Sequence, residues 1–525
     1  MAVVTPGGMA RAQPAPGTIV GEVRTAAEGT PLPAANLQLE GTLLGGITDR
    51  GGRYRIPGVP PGSYRLRVSV VGYRTETATV AVVSGGTVTV DVRLEIAPIA
   101  LPDVVVTAGR QQQRADEAAA AVAILEGPRL ALRGARQLDT VLPLVPGVTM
   151  MDDQVGIRGS TGYTRGAGGR VLVLQDGVPV VGGDTGNVRW DTLPAEAVER
   201  VEVVKGATSS LYGSAAMGGV VNVITRSAHT GPFTSVRLRT GTWDQPWYED
   251  YRWSEGRRWS RGGEATLVRP VGRLGLLVTG GYLRSDGFRQ NGGEEKKHLL
   301  AKLEGPLEGR DHWDVVLTAA LHDHDNFFEW AGPDDPYEVA AAVRGDWIRS
   351  DKLTLTSSWR RLLSPSAYIQ VQPHFSAVRW SNHFADNNDA AEVLRSGIDL
   401  QRVHTWGDAS LTVGGMAALT GVEADMYGSV RVGEGAVFTQ HERGLSERVR
   451  MSVGARLDFH QARGLEHHLV VSPRLALVAD PLPGLVLRLA GGRGFRAPSV
   501  AETYVSTTTS GFQVIPNTAL TPETA

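Results

Sequence analysis

Two neighbouring stretches decide the fold: RVLVLQDGVPV (170–180) and, after a polar gap, LPAEAVERVEVVKGATSSLYGSAAMGGVVNVIT (193–225). The runs RVLVLQDG and VVNVIT are rich in β-branched residues, whose stiff side chains favour extended backbone. Between them an acid-bearing segment ends in Lys205-Gly206, and a glycine-dense turn with Gly213, Gly218 and Gly219 follows. The order reads strand, loop, strand, tight turn, strand within a small α/β unit.

Downstream, residues 232–525 alternate with a period of two. In MSVGARLDFH (451–460) Met, Val, Ala, Leu and Phe take one face, and Ser, Gly, Arg, Asp and His take the other. KLTLTSSWRR (352–361) and YIQVQPHF (368–375) repeat the pattern. Apolar toward lipid and polar toward a lumen is the signature of a transmembrane β-barrel strand. Thirteen such segments can be delimited. The connections between them alternate in length: 242–261 is long and 271–272 short, 285–297 long and 305–311 short, 323–350 long and 362–366 short, with 480–483 short and 494–521 long at the end. A soluble sandwich has no reason to alternate in this way, whereas a barrel has long outer loops and short periplasmic turns. No run of about 18 apolar residues exists for a transmembrane helix, and a barrel needs none.

Upstream, Ala121–Leu125 reads as a strand. The spacing of Leu130, Leu138, Val141 and Leu142 predicts a helix over 129–144, ended by Pro146-Gly147. Gly162, Gly166, Gly168 and Gly169 make a flexible loop. Residues 96–117 form a linker. Residues 18–95 carry short alternating segments (TIVGEVR, NLQLEG, RYRI, YRLRVSVVGY, TATVAVV, VTVDVRL) punctuated by Pro and Gly, the pattern of a β-sandwich. Asp49-Arg50-Gly51-Gly52 and Pro60-Pro61-Gly62 are expected to be hairpin turns. Residues 1–17 read as a plain Ala/Pro/Gly leader or, from Ala10-Arg11-Ala12, as the remnant of a secretory signal.

A chain of 525 residues allows two to four units. With 53 basic against 55 acidic residues there is no electrostatic case for nucleic-acid binding. Cysteine is absent, which removes disulfides, thiolate metal sites and cysteine nucleophiles. The sequence has no GxxxxGK[ST] loop, no GxSxG elbow and no HExxH, so neither an ATP site nor a hydrolytic site is expected.

The succession "DGVPV", "VERVEVVKG", "LYGS", "GGVVNVIT" resembles the plug domain of TonB-dependent outer-membrane receptors. The stretch 48–73 resembles the carboxypeptidase regulatory-like, or carbohydrate-binding-like, domain. GGRGFRAPSVAETYV (491–505) and PNTALTPETA (516–525) resemble the family's "GFRAPS…ELY" and "NP.L.PE". The resemblance implies a mainly β protein: an N-terminal β-sandwich, a small α/β plug domain and a partial antiparallel transmembrane β-barrel, with about 13 strands of an expected 22. The expected divisions are 1–17 leader, 18–95 sandwich, 96–117 linker, 118–228 plug and 229–525 incomplete barrel. C-terminal truncation, and hence a non-transporting receptor or gene fragment, is one expectation.

Asp103, Val104, Val105, Val106, Thr107 and Ala108 resemble a Ton box. Such a β-prone tether can add to the sheet edge of a partner, here TonB with its inner-membrane energising complex. The plug motif residues carried over are Arg158, Gly159, Asp176, Gly177, Lys205, Gly206, Tyr212, Gly213, Gly218 and Gly219. The aromatic loop 243–260 holds four of the eleven tryptophans. Within it Trp243, Trp247, Tyr248, Tyr251, Arg252 and Trp253 are candidate substrate-binding residues, with an interfacial aromatic girdle as the alternative. His322-Asp323-His324-Asp325 has spacing a divalent metal could use, but the simpler reading is a polar loop start, and no metal or cofactor is expected. The function implied is TonB-energised import of a scarce nutrient, an iron-siderophore by default, with cobalamin or an oligosaccharide as alternatives. The protein would be a non-enzymatic monomer in outer-membrane lipid, with its sandwich and Ton box in the periplasm.

Overall fold

The computed structural model describes residues 15–525 except 27–28, 34, 40–41, 43, 71–75, 96–104, 107–109, 111–112, 115–117, 128–129, 131–136, 152, 161–166, 229–230, 306–310, 365, 386, 447, 483–484 and 510–511. Two compact units divide at residues 104 and 105.

The first unit is a sandwich of two sheets. One has the order Arg53–Val59, Gly17–Thr25, Thr87–Thr89, with Val92–Leu94 also paired to Gly17–Thr25; the other has the order Gly45–Ile47, Asn36–Leu39, Gly62–Ser69, Glu76–Val82. Alternate side chains meet in a core that includes Ile19, Val23, Leu37, Leu39, Ile56, Leu66 and Leu94, all essentially inaccessible. The two turns expected to be hairpins are corners instead. Asp49–Gly52 and Pro60–Gly62 each carry the chain from one sheet to the other, because Arg53–Val59 pairs with Gly17–Thr25 and with neither of its sequence neighbours. Asp49 Oδ1 accepts the amides of Gly51 (2.8 Å) and Arg53 (2.9 Å), which fixes the first corner.

The second unit begins with a five-stranded sheet ordered Ala121–Glu126, Val198–Lys205, Gly219–Thr225, Val171–Gln175, Val178–Pro179. Gly219–Thr225 runs parallel to Val171–Gln175 and antiparallel to Val198–Lys205. These are the strands read from the sequence. Val171–Gln175 is buried at every position, which explains why its apolar run does not alternate. Of the helix expected over 129–144, residues 129 and 131–136 lie outside the described residues. Of the remainder, Leu130 is helical and 137–141 are bends and turns leading into a 3-10 helix, Leu142–Leu144, with a proline in its first turn. Leu130, Leu138, Val141 and Leu142 are nonetheless buried in the plug core, so the helical spacing marked real core positions.

Thirteen consecutive antiparallel strands then form one sheet, in sequence order: β1 (Phe233–Trp243), β2 (Arg258–Val271), β3 (Leu274–Ser285), β4 (Glu294–Gly305), β5 (Asp311–Asp325), β6 (Trp347–Ser364), β7 (Ala367–His383), β8 (Ala390–Trp406), β9 (Ala409–Ala424), β10 (Gly428–Ser446), β11 (Val449–Ala462), β12 (His468–Leu482) and β13 (Leu485–Gly492). One face is apolar and exposed, with Leu238, Val236 and Leu419 prominent. The other is polar, as where Thr266 and Thr279 hydrogen-bond each other at 2.8 Å, and it meets the plug, as where Lys302 Nζ donates to the Thr225 hydroxyl at 3.1 Å. The long-short alternation holds through β6 and then fades, since β9 and β10 are joined at the outer end by 425–427 alone.

Candidate functional site

Of the segment resembling a Ton box, Asp103, Val104, Thr107 and Ala108 lie outside the described residues. Val105–Val106 forms a short strand paired antiparallel with Gln113–Arg114. Between these pairs, Arg110 is fixed to the wall. Its guanidinium lies 5.1 Å from the Tyr212 ring centre and 4.9 Å from that of Phe438 on β10. It is ion-paired to Asp399 on β8 at 3.1 Å, and Gln401 Nε2 donates to its carbonyl at 3.0 Å. Tyr212 therefore serves as one wall of an arginine clamp, and burial pushes its phenol up to about 12. Arg110 and Asp399 were not singled out from the sequence. An arginine in a polar linker carries no local signal, because its ion-pair partner lies 289 residues away.

The motif residues of the plug build turns. Asp176 and Gly177 both have positive φ (49° and 88°), as a two-residue hairpin turn between Val171–Gln175 and Val178–Pro179 requires. The Asp176 carboxylate accepts the Thr225 amide (2.9 Å) and hydroxyl (2.7 Å), and Gln372 on β7 donates to the Asp176 carbonyl (3.2 Å). Arg158-Gly159 is an exposed turn, with the Arg158 amide donating to the Gly147 carbonyl. Lys205 Nζ donates to the Pro146 carbonyl at 2.8 Å, and the Gly206 amide donates to Gly218. Gly213 backs onto Arg456 of β11, whose Nη1 donates to the Leu211 carbonyl at 3.1 Å. Gly218 and Gly219 lead into the third strand. The motif residues thus come together as plug architecture.

Polar bonds join plug to wall at several further points. Glu304 on β4 accepts the Ala228 amide and the Ser227 hydroxyl, both at 2.6 Å. Trp380 on β7 donates to Asp184 at 3.0 Å. Asp191 lies 3.5 Å from His322 on β5; burial alone would raise its carboxyl, but His322, Lys352 and Arg189 together hold it at about 2. The most connected point is Arg496, just past β13. It pairs with Glu502 (2.7 Å) and Glu523 (2.9 Å), and Glu523 also pairs with Arg170 of the plug (2.9 Å). Ser499 and Glu502 form a capping box on the helix Val500–Tyr504, which orients the Glu502 carboxylate.

The bonds from Arg496, helped by Arg170 against the effect of burial, hold the Glu523 carboxyl at about 2. Burial would raise Glu502, but Arg496 and Ser499 outweigh it and lower it. A carboxyl depressed in the folded state contributes stability above its unfolded value and loses that stability as pH falls through its folded value. The contribution of this cluster should therefore be intact above about pH 4.5 and decline toward about pH 2. Thermal unfolding followed across that range should show the decline, with a smaller drop in Glu523→Gln. An equal drop in the variant would refute this assignment.

In the aromatic loop most of the rings have partners within the protein. Trp253 Nε1 donates to the Phe288 carbonyl (3.1 Å) and its ring lies under the Arg258 guanidinium (4.4 Å). Trp243 donates to Ser285 (3.1 Å) and its ring meets Phe288, which meets Tyr337; Tyr251 also meets Tyr337. Arg252 pairs with Glu249 (3.0 Å). These rings fasten three outer loops to one another. Trp247, 91% exposed, and Tyr248, 67% exposed, are the candidates left open to a ligand. His322 and His324 stack on each other at the end of β5, a strand and not a loop, while Asp323 points the other way to Arg349 (2.7 Å). Among the described residues no group of three or more ligating side chains could hold a metal ion.

Comparison with known proteins matches residues 226–525 to the "TonB dependent receptor-like, beta-barrel" family, residues 114–220 to the "TonB-dependent Receptor Plug Domain" and residues 18–95 to the "Carboxypeptidase regulatory-like domain". The chain belongs to the TonB-dependent receptor family, outer-membrane β-barrel proteins that are not enzymes. Among similar curated proteins, the vitamin B12 transporter BtuB of Vibrio cholerae is 37% identical over 144 residues, covering 27% of this chain and 23% of the relative. The iron-regulated outer membrane virulence protein of Vibrio cholerae is 24% identical over 449 residues, covering 80% and 64%. Among solved structures, the unliganded ferric citrate transporter FecA superposes with a TM-score of 0.61 at 15% identity, covering 73% of this chain and 64% of that one. The siderophore receptor PirA from Pseudomonas aeruginosa gives 0.59 at 20% identity, covering 77% and 69%. The chain spans about a quarter of the length of the Vibrio vitamin B12 transporters it matches and half that of the Photobacterium profundum one.

Proposed function

We propose that this chain acts in the import of an iron-siderophore complex across the outer membrane, energised by TonB through Asp103–Ala108. The observation that carries the reading is the tether. The segment resembling a Ton box leads straight into Arg110, which is clamped between Tyr212 of the plug and Phe438 and Asp399 of the wall. A pull on that segment would load the plug and the wall at one point. In this reading 1–17 is a leader, 18–95 a periplasmic sandwich, 96–117 the linker, 118–228 the plug and 229–525 barrel, and the protein works as a monomer. Ligand meets Trp247 and Tyr248 first. The iron cargo is supported by the ferric citrate transporter and the siderophore receptor that share the fold. A second reading, cobalamin, is favoured by the 37% identity to vitamin B12 transporters.

Titrating the detergent-solubilised chain with ferric siderophores, cobalamin and oligosaccharides while following tryptophan fluorescence separates these. Saturable quenching by a ferric siderophore, weakened in Trp247→Ala, is the expected result. Quenching by cobalamin alone would replace the iron reading with the second one. Strand addition is tested separately, by binding of the periplasmic domain of TonB to a peptide spanning 103–108, and no binding would remove TonB from the proposal.

A further inference from the structure

Arg261 on β2 and Arg284 on β3 are directly opposed across the ladder. Both are exposed, and both sit on the outward, lipid-side face. Their inward neighbours Ser285, Thr266 and Val268 are buried, while Leu267 and Tyr282 share the arginines' face and are exposed. Like charges directly opposite each other destabilise a ladder unless something neutralises them. Other outward arginines of this rim have partners: Arg349 pairs with Asp323 (2.7 Å) and Arg379 with Glu392 (3.1 Å). Glu295, the next residue along the row from Arg284, is engaged by Lys297 at 2.7 Å. Arg261 lies over the Trp259 ring at 5.0 Å. Among the described residues, neither Arg261 nor Arg284 has a carboxylate within ion-pair distance.

The pair sits at the outer end of the strands, where the apolar band begins. One row inward along the strand axis come Leu238, Gly263, Tyr282 and Lys297, and the next row is Val236, Ala265, Gly280 and Leu299. Gly263, Ala265 and Gly280 leave a shallow furrow running obliquely below Arg261, with Leu238 and Val236 on one side, Leu238 Cδ2 reaching to 3.0 Å of a Cβ placed on Gly263, and with Leu299 and Tyr282, which stands directly below Arg284, on the other. A free anion would satisfy the charges but leave the furrow empty. A lipid whose phosphate lies between the two guanidinium forks, with an acyl chain along the furrow, satisfies both.

We propose that Arg261 and Arg284 dock the headgroup phosphate of an outer-leaflet lipid on the outside of the barrel wall. Native mass spectrometry of the full chain in detergent, titrated with phosphatidic acid or with phosphatidylcholine, reads this directly. The expected result is about 30-fold preferential retention of phosphatidic acid, the scale of two basic residues at a membrane surface. Arg261→Gln with Arg284→Gln should abolish the preference, and Arg379→Gln should keep it. Gly263→Leu, which fills the furrow and keeps both charges, should weaken retention as well, and it tests the proposal should the double variant not fold. No preference in the parent chain, or an undiminished preference in the double variant, overturns the proposal. Displacement by inorganic phosphate at about 10 mM, with Gly263→Leu silent, overturns it in favour of a free-anion site.

Discussion

Arg110→Ala is expected to raise the population in which the segment Asp103–Ala108 is released by about 100-fold. The side chains of Arg110 and Asp399 are only 12% and 10% exposed. Removing one partner of a buried ion pair costs about 3–5 kcal/mol, because the other charge is left buried and unpaired. The clamp also loses two cation–π contacts, each worth about 0.5–2 kcal/mol. Relaxation and water entry return part of this, and about 3 kcal/mol of local stability corresponds to the stated factor. The chain has no cysteine, so Ala108→Cys supplies a unique reporter whose thiol-labelling rate measures the release. Asp399→Asn should act in the same direction but less, since an amide oxygen can still accept from Arg110. An unchanged labelling rate in Arg110→Ala would mean that the clamp does not govern the tether.

Gly219→Ala should destabilise the plug by about 3 kcal/mol or more, a large part of the stability of a single domain. A Cβ built on Gly219 falls 2.2 Å from the Val204 carbonyl oxygen and 2.9 Å from Ile157 Cδ1, at a φ of 149°. The first contact is with backbone of the paired strand, which cannot move without opening the ladder between Val198–Lys205 and Gly219–Thr225. Overpacking and the unfavourable φ therefore add. Hydrogen exchange at the amides of Val220–Val223 reports the loss of protection. Gly491→Ala is the control, since a Cβ there meets nothing within 4 Å and φ is ordinary. Protection equal in both variants would mean that the plug yields at this position.

What the sequence disclosed, and what it hid, follows from the range of each interaction. Period-two alternation is local, so thirteen strands and the lipid side of MSVGARLDFH were legible. The plug strands were legible because Val171–Gln175 and Gly219–Thr225 carry strong β propensity between glycine turns. The sandwich corners misled because Asp49–Gly52 and Pro60–Gly62 have turn chemistry that suits a hairpin as well as a change of sheet, and only the distant pairing with Gly17–Thr25 decides. Ring-rich composition revealed the aromatic loop without its purpose: Trp243 and Trp253 are committed to Ser285 and Phe288 across the loops. The Arg110–Asp399 and Arg170–Glu523 pairings stayed hidden, since each joins residues hundreds of positions apart in the chain.

The bonds between plug and wall are separate and small: Arg110 to Asp399, Gln372 to Asp176, Trp380 to Asp184, Glu304 to Ala228, Arg456 to Leu211. Such an attachment behaves differently according to the direction of loading. Thermal agitation must break many of the fastenings at once, and their strengths add. A load applied at one end of the chain meets them singly, beginning at Arg110, as tape lifted from its corner yields to a force that could never slide it sideways. The same plug can therefore be firmly seated at rest and still be removable by a modest pull.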